Sequence, residues 1–120
     1  MELLSLLKYL LPEYLVSYFD IVQAKTKDPK DEESPLSIYF EEKNLVPTEY
    51  VASDYHSKGF MAEIVIEDFP LRGRPVRLHI KRRRWTHKTT EQIIQRDWTL
   101  VAKGTRLTAD FANFLKEISR

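Results

Sequence analysis

Val76-Arg-Leu-His-Ile-Lys-Arg-Arg-Arg-Trp85 alternates apolar and polar residues over its first half, then turns wholly basic and ends on an indole. An extended chain sends successive side chains to opposite faces. Val76, Leu78 and Ile80 therefore share one face, and Arg77, His79 and Lys81 the other. This predicts a β-strand whose apolar side is buried and whose cationic side is open. Arg82, Arg83 and Arg84 are expected to carry the charge on into a hairpin, with Trp85 at its close. Eight Lys/Arg lie from Arg72 to Lys88, with no acidic residue between them. Guanidinium groups bind phosphate through paired hydrogen bonds, and an indole stacks on a base or sugar. A two-stranded ribbon of this kind fits a major groove, with arginines on phosphates or guanine edges. Charged side chains on a solvated face that block aggregation are the plainer alternative.

Three more strands are expected around this one. Leu36, Ile38 and Phe40 alternate within 36–42, and Ala62, Ile64 and Ile66 within 60–67. Trp98 and Leu100 alternate within 93–102, across a polar loop at 86–92. Residues 44–58, with Pro47 and mixed polarity, suggest a long loop. At the start, Leu3, Leu4, Leu7, Leu10, Leu11, Leu15, Tyr18, Phe19 and Val22 recur three and four apart, which predicts helix over 2–22. Pro12 divides it into two helices or one kinked helix. Residues 25–35 hold two prolines and no residue to bury, and suggest a flexible charged linker. Leu107, Phe111, Phe114, Leu115 and Ile118 form a closing helical stripe, with Thr108 as N-cap and Asp110 in the first turn. The expected fold is α+β: two N-terminal helices (or one kinked), a four-strand antiparallel meander and a C-terminal helix.

A chain of 120 residues suits one domain, and 42% hydrophobic residues suffice for a core. The absence of cysteine excludes disulfides, thiolate catalysis and cysteine-ligated metal. It fits a reducing, cytoplasmic setting, as does a start without a secretory pattern. Glu2, Lys8 and Glu13 interrupt the apolar run, so no membrane span is expected. His56, His79 and His87 follow no metal-ligand spacing, and neither a Gly-rich phosphate loop nor a nucleophile elbow occurs. Glu41-Glu42-Lys43 matches the ExK of metal-dependent nucleases only superficially, since charged strand ends are ordinary. No catalytic residue, metal or cofactor is expected. The net charge of +1 conceals a split: residues 1–70 hold six Lys/Arg against fourteen Asp/Glu, residues 71–120 thirteen against four. Such asymmetry points to a polyanion partner, or to the two halves attracting one another within or between copies.

At Leu71-Arg-Gly-Arg-Pro-Val-Arg-Leu-His-Ile-Lys-Arg-Arg-Arg-Trp85 the chain resembles the N-terminal region of bacterial insertion-sequence transposases of the Aon-one type, within the ISL-three group. The likeness extends to Leu-Leu-Lys-Tyr-Leu-Leu-Pro-Glu-Tyr at residues 6–14, Ile38-Tyr-Phe-Glu-Glu-Lys43 and Asp68-Phe-Pro-Leu-Arg-Gly73. It continues through Gln95-Arg-Asp-Trp-Thr-Leu-Val-Ala-Lys-Gly-Thr-Arg106 and Phe111-Ala-Asn-Phe-Leu-Lys-Glu117. In the wider group a comparable basic strand leads into a zinc-ribbon-like hairpin, whose cysteine ligands are missing here. The resemblance implies a non-catalytic part of a transposase that contacts the element's DNA ends. The catalytic region, separate or fused, would be its partner. The DNA-contacting residues it implies are Arg77, Lys81, Arg82, Arg83, Arg84 and Trp85. A module for protein–protein contact or homo-oligomerisation, pairing the acidic half with a basic surface, is the competing expectation.

Overall fold

The computed structural model describes residues 13–31, 33–71, 73–98 and 116–118. In chain order these form α1 (Glu13–Tyr18), β1 (Phe19–Thr26), β2 (Leu36–Glu42), a 3-10 turn (Ala52–Asp54), β3 (Tyr55–Phe60), β4 (Ile64–Leu71), β5 (Arg74–Lys81), β6 (Arg83–His87) and β7 (Ile93–Gln95). The chain divides into two compact units, each assembled from two separate segments. Met1–Lys43 and Glu63–Lys81 make the first, and Asn44–Ala62 and Arg82–Arg120 the second.

The first unit is built on a four-stranded sheet in the order β1-β2-β5-β4. Both inner strands show the alternation read from the sequence: Ile38 and Phe40 on β2 and Val76, Leu78 and Ile80 on β5 are all buried. Ile80 lies level with Phe40 on one side and Ile64 on the other. Leu15 of α1 and Phe19 of β1 complete this core, Phe19 meeting Phe40 edge to face at 6.4 Å. The opposite face carries Arg77, His79 and Lys81 of β5 beside Ser37, Tyr39 and Glu41 of β2.

The second unit holds a three-stranded antiparallel sheet in the order β3-β6-β7. Its core residues are Trp85, Ile94, Trp98 and Ile118. The central position of β6 follows from Trp85 and Thr86: both are buried, although their side chains leave on opposite faces.

The expected α+β architecture is corrected by this arrangement. The described residues are mostly β, with seven strands in two sheets, and no four-strand antiparallel meander forms. β2 runs parallel to β5, because the chain leaves the first unit after Lys43 and re-enters at Glu63, so β2 is not followed by its neighbour. The expected helix over 2–22 ends at Tyr18, and residues 19–26 pair with β2 as a strand. Phe19 and Val22 fit helical spacing, but Ile21, Val22 and Thr26 are β-branched and favour extended backbone. Residues 2–12, where the rest of that expectation falls, lie outside the described residues, as do 107–115 of the expected closing helix. Residues 116–118 are helical.

The stretch read as a flexible linker begins inside β1 and otherwise connects β1 to β2. Ser34 is buried there, and its hydroxyl accepts from Thr26 Oγ1 (3.1 Å) and the Asp28 amide (3.1 Å). Arg74 Nη1 donates to Thr26 Oγ1 (2.8 Å) and the Ser34 carbonyl (3.0 Å). The expected long loop over 44–58 contains β3. The expected strand over 93–102 is a strand only over Ile93–Gln95, and 99–102 lie outside the described residues. Among the described residues no helix is long and apolar enough to cross a membrane.

Ile80 is fully buried between two strands, whereas Arg77 is exposed in an ion pair with Glu67. Ile80→Ala is expected to destabilise the protein by about 2–5 kcal/mol, and Arg77→Ala by about 1 kcal/mol at most. Urea unfolding of the two variants checks this contrast.

Candidate nucleic-acid interface

The six residues expected to contact DNA do not fall on one strand. Arg77 and Lys81 belong to β5 in the first unit, while Arg83, Arg84 and Trp85 belong to β6 in the second. Arg82 lies between the two strands and opens the second unit's later segment.

In the first unit, Arg77 Nε lies 3.2 Å from Glu67 Oε1, its cross-strand neighbour on β4. Both side chains are about half exposed or more (48% and 69%), so the pair contributes little stability and opens readily to solvent. His79 stacks on Tyr39, with ring centres 4.3 Å apart, and Lys25 Nζ sits 5.2 Å from the Tyr39 ring centre. His79 Nδ1 is 2.9 Å from Glu63 Oε1, and Nε2 is 3.1 Å from Ser37 Oγ. A carboxylate only accepts, so Nδ1 carries the proton donated to Glu63. This hydroxyl–imidazole–carboxylate chain escaped sequence reasoning, because Ser37, Glu63 and His79 lie far apart along the chain. Ser37 is within a central strand whose backbone belongs to ladders on both sides. The chain of contacts links β2, β5 and the residue before β4 on the open face.

In the second unit the three consecutive arginines separate. Arg82 Nη1 donates to the Ile118 carbonyl at 2.7 Å. Arg83 bonds Ser57 Oγ, and its guanidinium lies 4.5 Å from the Phe60 ring centre. Arg84 Nη2 donates a long bond, 3.5 Å, to the Phe60 carbonyl. All three side chains are half-buried, and the Nε atoms of Arg82 and Arg84 are enclosed without a hydrogen-bond partner. A buried unmet donor costs about 1–3 kcal/mol. The expectation of a solvated cationic cluster is corrected accordingly: the run is packed against the fold, one residue at a time.

The stacking role expected of Trp85 is corrected as well. The ring is fully buried, with Nε1 donating to Asn44 Oδ1 at 2.9 Å, so it offers no face to a base. Arg96 lies between the two indoles, 5.8 Å from the Trp85 ring centre and 5.9 Å from that of Trp98. Its Nη2 also bonds the Leu45 carbonyl. These contacts join β6 to the segment after β7 and to the loop before β3. The β6–β7 connection is closed by His87, whose Nδ1 accepts from the amides of Thr89 and Thr90, both at 3.1 Å. Among the described residues no three His, Asp or Glu side chains are grouped to hold a metal ion.

Charge divides between the units less steeply than between sequence halves. The first unit has nine Lys/Arg against twelve Asp/Glu, net −3, and the second ten against six, net +4. No family model, curated protein or solved structure matches this chain.

Trp85→Ala is expected to cost about 3–5 kcal/mol, measured by denaturant unfolding. Because Trp85 and Trp98 are both buried, the wild-type emission is expected to be blue-shifted and to resist acrylamide quenching.

Proposed function

We propose that this chain is the non-catalytic, DNA-binding N-terminal portion of an insertion-sequence transposase. Its DNA would be the ends of the element. Strand-transfer chemistry would come from a catalytic region, fused or separate, that supplies carboxylates and divalent metal. The observation that carries the reading is the state of the arginines in a unit of net positive charge. Arg82 and Arg84 donate to neutral backbone carbonyls, and among the described residues neither is paired with a carboxylate. The likeness of the basic strand and its flanks to the N-terminal region of such transposases supports the same reading.

The opposite net charges of the two units favour a second reading, in which the first unit of one copy docks on the second unit of another. Electrophoretic mobility shifts across a salt series separate the two. DNA binding predicts retardation of a mixed-sequence duplex, with log K falling linearly against log salt at a slope of about 0.9 per phosphate neutralised. Replacing Arg82, Arg83 and Arg84 together with alanine is expected to weaken binding and flatten that slope by about 1 or more. Self-association that rises with protein concentration, without retardation of DNA, would favour the second reading.

A further inference from the structure

We propose that the second unit meets the DNA backbone through one face of its three-stranded sheet, the face carrying His56, Lys58, Arg84 and Gln95. This rests on the DNA-binding reading above and says which surface performs it.

Register defines the face. Residues directly opposite in an antiparallel pair share a side of the sheet. Tyr55 pairs with His87, Ser57 with Trp85, Phe60 with Arg83, and Trp85 with Ile94. That side packs inward, since Trp85 and Ile94 are buried. The other side carries His56, Thr86 and Ile93 in one row, and Arg84 with Gln95 in the next. Lys58 follows Ser57, so its side chain leaves on the His56 side. Gly59, at φ 85°, then forms a one-residue bulge that returns Phe60 to the side of Arg83.

Accessibility and charge favour the same face. His56, Lys58 and Gln95 are exposed and Ile93 is half exposed, while Arg84 is half-buried and Thr86, in the row between His56 and Ile93, is buried. Its strand positions hold two permanent cations and a histidine, and no carboxylate. The open face of the first unit differs. There Arg77 meets Glu67 and His79 meets Glu63. Glu41 stands between Asp20 and Lys81. Positive charge on that face is matched locally by negative charge, whereas the described strand positions of the His56–Lys58–Arg84 face carry no acidic residue.

The chemistry suits a phosphodiester chain. Lys58 supplies a mobile ammonium, Arg84 a guanidinium and Gln95 an amide, all groups that donate to oxygen acceptors. Such contacts position a duplex without reading its sequence. The alternation also assigns different roles to neighbouring arginines. Arg84 lies on this face, whereas Arg83 lies on the other, over Phe60 and bonded to Ser57.

The test is fluorescence anisotropy of a short labelled duplex of mixed sequence, titrated with the full chain at several salt concentrations. Lys58→Ala and Arg84→Ala are each expected to weaken binding and to lower the salt slope by about 1. Arg83→Ala is expected to leave the slope unchanged. Lys58 is exposed, so its variant keeps the fold, and thermal unfolding followed by circular dichroism verifies this. If neither Lys58→Ala nor Arg84→Ala weakens binding, while the wild-type chain still binds duplex with a steep salt slope, this face is overturned and the DNA-binding reading stands. If the wild-type chain fails to bind duplex at all, that reading falls and the face with it.

Discussion

A strand sends alternate residues to alternate faces, and Ile80 and Trp85 are five residues apart. No unbroken strand can bury both against one core. The chain resolves this by ending β5 at Lys81, passing Arg82 and beginning β6 at Arg83 in a different sheet. Both apolar side chains are then buried completely, Ile80 in the first unit and Trp85 in the second. The opposite strands absorb the shift. Ile64 faces Ile80 and Ser57 faces Trp85, which leaves seven steps on one side for five on the other. The bulge at Gly59 takes up one of these extra residues, and the connection from Phe60 to Ile64 takes up the other.

That break also decides what the basic run becomes. Had the strand continued, Arg82 and Arg84 would point with Ile80 toward a core. Instead Arg82 reaches a helical carbonyl at Ile118, Arg83 covers Phe60, and Arg84 turns to the outer face of the second sheet. A guanidinium bonded to a carbonyl remains a full cation, so packing these side chains does not discharge them. The cost is visible in the enclosed Nε atoms of Arg82 and Arg84. Specific contacts by single residues replace the diffuse charge cluster that the bare sequence suggests.

Much of the first unit was legible in the sequence, because its inner strands bury one face and leave the other open. Leu36–Glu42 and Arg74–Lys81 show the period of two that marks such strands. β1 was not legible: Phe19 and Val22 fit a helical period as well as an extended one, and pairing with β2 decided between them. β3 was hidden because the inward position opposite Trp85 is a serine, so Ser57 removed the apolar signal from 55–60. The parallel pairing of β2 and β5 depends on a detour of the chain through the second unit, which no local pattern records. The basic residues were legible as a group, but not their sides. Lys58 and His56 looked like loop residues, and Trp85 like a stacking ring; only the register reversed those roles.

β6 starts a new register after Arg82, and nuclear Overhauser contacts between backbone protons across the β3–β6 pair report that register. For this register, strong cross-strand contacts of Trp85 with Ser57 on one side and with Ile94 on the other are expected. Contacts placing Trp85 opposite Gly59, the position it would face if the β4–β5 register ran on unbroken, would contradict it.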